Sequence, residues 1–108
     1  MIEYNLDTAN SILYVQPKSA LAADDFVKLA KAVDPHIEAT GDLAGLIIEA
    51  PAFPGWDSLG ALIAHLRFVQ NHHKHIKKIG VVTDSALGNV AERLASHFVS
   101  AEIRRFAS

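Results

Sequence analysis

Leu43 to Ala50 is apolar at nearly every position, and Ile76 to Thr83 (IKKIGVVT) reads as a second strand of the same kind. Continuous apolar runs of this length predict strands in the interior of a parallel sheet, enclosed on both faces. On that reading Ile47, Ile48, Val81 and Val82 should be among the most buried residues. Two shorter β-prone runs, Ile2 to Asn5 and Ser11 to Gln16, flank the turn-rich LDTAN and predict a starting antiparallel hairpin.

Three other stretches carry apolar residues at helical spacing. In 23 to 40 the stripe is Phe26, Leu29, Ala30, Val33 and Ile37, with Asp24 and Asp25 suited to the positive end of the helix dipole. Pro35 is expected to kink or split this helix after Asp34, and Gly41 to stop it. From Ser58 to about His73 the apolar stripe is Leu59, Leu62, Ile63, Leu66, Val69, Gln70 and His73. Phe68 then falls on the opposite side, among Ala61, Ala64, His65 and His72. That set reads as a flat apolar patch for a partner, or as a surface covered by the amino-terminal hairpin. Ser85 opens a third helix, Ala86 to Phe98, and Ala101 to Phe106 closes the chain as a strand. The order ββαβαβαβ predicts an α/β domain with a mainly parallel, mixed sheet and right-handed crossovers.

Composition narrows the function. A chain of 108 residues builds one domain. A net charge of -2 gives no drive toward nucleic acid or an anionic surface. No apolar run approaches the roughly 20 residues of a membrane span, and no basic-then-apolar leader precedes the first strand, so a cytoplasmic protein is expected. The absence of cysteine removes thiol chemistry, thiolate metal sites and disulfides. The six glycines form neither a dinucleotide nor a Walker loop, and Gly55 to Gly60 lacks the spacing of a serine-nucleophile elbow. No catalytic residue, cofactor or metal is therefore expected.

Candidate chemistry gathers at the strand-to-helix elbow of Pro51, Pro54, Gly55, Trp56, Asp57 and Ser58. In a parallel sheet this elbow and the next one, Asp84-Ser85, lie beyond the carboxyl ends of neighbouring strands, with Gln16 and Lys18 nearby. Ligands of α/β proteins collect there. Ser58 reads either as a phosphate acceptor at a helix amino end or as a helix cap. Trp56 reads as a pocket mouth or as a staple onto the helix. His65 and His72, seven residues apart, share a helix face, but the His72-His73-Lys74-His75 run lacks metalloprotease spacing.

Taken together, ADDF (23 to 26), GLIIEA (45 to 50), FPGWD (53 to 57), LGALIAHLRF (59 to 68), IKKIGVVTDS (76 to 85) and AEIRRF (101 to 106) resemble the SpoIIAA-like family. That family lies within the STAS-type fold of bacterial anti-sigma-factor antagonists. The resemblance implies a single β-α superhelical domain over residues 1–108, cytoplasmic and without known catalysis: a protein-interaction or regulatory module. The fold type also recurs in lipid-binding domains, so an alternative is the binding of a small apolar ligand. The classical antagonists carry an Asp-Ser-Ser-Gly-Leu-like elbow whose second serine is phosphorylated by a partner kinase. Here the run is Asp57-Ser58-Leu59-Gly60, out of register by one serine. Family members also tend to end with a helix after the last strand, and the sequence ends at Ser108. A homodimer is therefore expected, through the Phe68 face or through the last strand with Ile103.

Overall fold

The computed structural model of the chain describes residues 1–51 and 54–83, together with the backbone of 102–106. Strand β1 (Ile2–Asp7) pairs antiparallel with β2 (Ile12–Pro17), as the alternating runs require. Helix α1 (Ala23–Thr40) leads to β3 (Leu43–Glu49), and α2 (Leu59–His72) passes through a single 3₁₀ turn, His73–His75, into β4 (Ile76–Val82). Strand β5 is Glu102–Phe106. The five strands lie in sequence order β1-β2-β3-β4-β5, and β2 to β5 are all parallel. The expected helix over 86–98, and with it Asp84, Ser85 and the Ile103 side chain, lies outside the described residues.

Adjacent parallel strands in sequence order, joined by right-handed crossovers, coil the chain in one direction, so successive crossovers pass over the same face. Helices α1 and α2 do lie side by side on one face, where Phe26, Leu29 and Val33 of α1 pack with Leu13, Val15 and Leu46 of the sheet. Residues alternate across a strand. Tyr14, Ile47 and Gly80, in register beside that core row, therefore turn to the face opposite α1 and α2. The expected deep burial of the strand pairs is thus corrected. Ile47, Ile48, Val81 and Val82 are half-buried, while Leu13, Val33 and Leu43 are the largest fully buried side chains. Ile47 and Val82 belong to the face opposite the helices, and Ile48 borders a cavity described below.

Helix α1 begins where Asp25 carries out an unexpected amount of binding. Its carboxylate accepts the backbone N–H of Ala22 at 2.8 Å and of Ile2 at 3.3 Å, and lies 3.2 Å from the Met1 amino group. One side chain thus ties β1 to the start of α1. Burial raises the Asp25 pKa, but the hydrogen bonds from Ala22, Ile2 and the amino group, with the latter's charge, outweigh it and leave the pKa below the usual carboxylate value. Pro35 does not split α1, which runs unbroken to Thr40. Pro35 and Lys31, whose carbonyl loses its helical partner, both lie on the exposed side of the helix, where the lost bond costs least. Gly41 ends the helix at φ 91°, a left-handed conformation that favours glycine, with its N–H bonded to the Ile37 carbonyl at 2.9 Å.

Candidate functional site

The elbow after β3 is held by backbone. Leu21 donates to the Gly55 carbonyl at 2.8 Å and accepts from the Asp57 N–H at 2.9 Å, forming a parallel bridge between Leu21 and Trp56. Gly55 adopts φ 79°, which lets the chain turn into that bridge. Ser58 then caps α2: its Oγ accepts the Ala61 N–H at 3.1 Å. Ser58→Ala is expected to cost about 0.5–2 kcal/mol, measured by chemical denaturation. Gln16 and Lys18 pair away from Asp57. Gln16 donates to Glu49 at 3.2 Å, and Lys18 pairs with Glu3 at 3.8 Å, toward the hairpin edge.

Helix α2 is turned opposite to the sequence expectation. Ala61 is fully buried, Ala64 and Phe68 pack on the core, and His72 is buried. The Leu/Ile stripe faces outward, with Leu59 73%, Leu66 60% and Ile63 43% exposed. Ala61 and His72 are therefore buried, and Ala64, His65 and Phe68 half-buried, rather than the exposed flat patch expected, although Ala64, Phe68 and His72 also edge an open groove toward α1. Three contacts set the phase of the helix. Small Ala61 and Ala64 allow close approach, Phe68 reaches Phe26 of α1, and the elbow fixes Trp56 against His65. The stripe with the larger apolar side chains loses to the face that fits between α1 and the sheet.

The inward face builds an aromatic ladder. Trp56 Nε1–H donates to His65 Nδ1 at 3.1 Å; the His65 ring stacks on Phe26 with centroids 4.9 Å apart; Phe26 meets Phe68 at 6.0 Å; and Phe68 stacks on His72 at 4.1 Å. His72 ends the ladder as a latch between helices, with Nε2 2.7 Å from Asp34 of α1 and Nδ1 2.8 Å from the Phe68 carbonyl. Trp56 is thus a staple onto α2. His75 is separate, 3.2 Å from Asp42. Among the described residues no three His, Cys, Asp or Glu side chains could hold a metal ion together. No described helix is long and apolar enough to cross a membrane.

Beneath the ladder, between α1, α2 and the sheet, lies a cavity of about 170 Å³. Its walls are almost wholly apolar, Leu13, Leu29, Leu46, Ile48 and Phe68 among them, and its polar groups are histidines: His65, His72 and His73. Neither the cavity nor the Asp25 hub was legible beforehand. A carboxylate at the third position of a helix, facing back to the cap, was the signal available for Asp25. Nothing in a linear pattern reveals an unfilled volume.

Burial lowers the His65 pKa below the ordinary 6.5. The folded state therefore favours the neutral ring, and the unfolded chain takes up a proton first as pH falls. The stability due to His65 is fully present above pH 6.5 and is lost as pH drops through the lower folded pKa. A His65→Phe chain should accordingly lose less stability than the wild type between pH 7 and pH 5 in paired denaturant titrations. Parallel losses would show that His65 is not desolvated.

A family model described as SpoIIAA-like matches residues 12–108. Among solved structures, an uncharacterized protein with a SpoIIAA-like fold from Shewanella loihica PV-4 superposes with a TM-score of 0.78 at 20% identity, over 97% of this chain and 84% of that one. No curated protein matches.

Proposed function

From the premise that this chain belongs to the SpoIIAA-like family, we propose that it is a non-catalytic interaction module. It works by presenting the outer face of α2 to a protein partner, a second copy of the chain in the simplest case. The observation that carries this reading is the apolar stripe of Leu59, Ile63 and Leu66, which is solvent-facing and meets through Ile63 an open groove between α1 and α2 that Val27, Ala30, Ala64 and Phe68 also line. Contiguous exposed apolar residues of this size mark interaction surfaces far more often than single exposed leucines do. This face, with the Phe68 side only at its groove edge, is the two-fold contact, and a symmetric contact there would be self-complementary.

Sedimentation at micromolar concentration tests it. The wild type should run as a dimer that Leu66→Asp converts to an 11.7 kDa monomer without loss of thermal stability. A wild type that is monomeric at every concentration, with the same capture partners as Leu66→Asp, removes the reading.

A second reading, binding of a small apolar ligand, is supported by the 170 Å³ cavity beneath the ladder. An apolar cavity of about 150 Å³ stays dry and accepts a benzene ring. A phosphorylation switch at Ser58 has less support, because Oγ already accepts the Ala61 N–H.

A further inference from the structure

The cavity has a polar anchor as well as an apolar wall, and the hydrogen-bond inventory of its three histidines identifies which one is open. His72 has both ring nitrogens at acceptors, Asp34 and the Phe68 carbonyl, and His73 also has an interaction of its own. His65 differs. Its Nδ1 accepts from Trp56, which places the ring proton of the neutral imidazole on Nε2. That N–H has no partner among the described residues. Stacking on Phe26 at 4.9 Å and 15° holds the ring in place, so the donor is oriented before anything binds.

We propose that the cavity is a binding site for a small neutral molecule with an apolar body about the size of one aromatic ring and a single hydrogen-bond acceptor, a carbonyl oxygen in the simplest case, which takes the Nε2–H of His65. Size follows from the volume, which is slightly above that known to hold benzene. Apolar shape follows from the walls. The acceptor follows from the unpaired donor on a half-buried ring that lines the cavity, because a ligand oxygen that pairs with it gains a hydrogen bond the chain does not supply. Neutrality follows from burial: an ionised carboxylate would be stripped of water among leucines and isoleucines, and burial keeps the facing imidazole uncharged. Trp56, bonded to the other nitrogen, acts as a positioning residue that selects the tautomer. The assignment presupposes the cavity-binding reading and adds to it the polar end of the ligand.

The test uses two probes of matched shape, acetophenone with an acceptor and ethylbenzene without one, titrated into the full chain by calorimetry. Both should bind the wild type. His65→Phe should retain ethylbenzene, and its affinity for acetophenone relative to ethylbenzene should fall by roughly fivefold or more, the loss of one neutral hydrogen bond. The wild type read alone by nitrogen NMR covers a variant that fails to fold: acetophenone, and not ethylbenzene, should shift the His65 Nε2 resonance saturably. An unchanged affinity ratio in a folded His65→Phe chain, or an unmoved Nε2 signal at saturation, overturns the anchor while the apolar site stands. Failure of both probes to bind a fully folded wild type overturns the apolar site and the anchor together.

Discussion

Leu13→Ala is expected to lower the unfolding free energy by about 3–5 kcal/mol, the upper part of the range for emptying a closed leucine site. Leu13 is 1% exposed, the second residue of β2. In register it stands between Leu6 of β1 and Leu46 of β3, beneath the residues of α1 that close the core. Strands paired on both sides cannot move inward to fill the lost volume, because the ladder hydrogen bonds hold their spacing. The cost should therefore combine the transfer of three methyl-sized groups with a persistent void. Urea unfolding with an unchanged slope is the measurement. A loss under about 1.5 kcal/mol would mean that the row relaxes, and that the helices do not seal it.

The second large effect is expected at Phe26. Its ring is buried, stacks on His65, meets Phe68 and forms part of the cavity wall. Phe26→Ala should cost about 3–5 kcal/mol. It should also enlarge the cavity more than Leu13→Ala does, because both side chains line it and the ring is the larger. Removing the ring merges its volume with the existing 170 Å³, so the variant should bind larger apolar probes than the wild type does. His65 loses its stacking partner at the same time, and with it the orientation of its Nε2–H. A Phe26→Ala chain with wild-type stability would show that the ladder contributes nothing to the α1–sheet contact.

The Shewanella relative shares the fold at 20% identity, too little to carry function across. Function here rests on what this chain places together. A carboxylate hub joins β1 to α1, an elbow is bridged to Leu21, and a ladder of four rings and a tryptophan roofs an unfilled volume.

Element types and their order were determined by the sequence alone wherever a local rule applied. Gly41 ended α1 because few other residues adopt its backbone conformation without strain, Ser58 capped α2 because it directly precedes the first turn, and the alternating runs about LDTAN made the hairpin. The SpoIIAA-like family was also legible, since its elbow and strand motifs are contiguous in the chain. What required the tertiary structure was everything that depends on competition between faces. Helix α2 carries apolar side chains nearly all round, so its pattern allowed either side to turn inward. Close packing against Phe26 and the Trp56 contact chose the side with Ala61, Ala64 and Phe68, and left Leu59, Ile63 and Leu66 in water. Likewise an apolar run such as Leu43 to Ala50 states that a strand is hydrophobic, and not that both of its faces are covered. Among the described residues, α1 and α2 both lie over a single face, and the side chains of Ile47 and Val82 on the other are only half-buried. Local rules act over four residues. Burial is settled by what arrives from elsewhere in the chain.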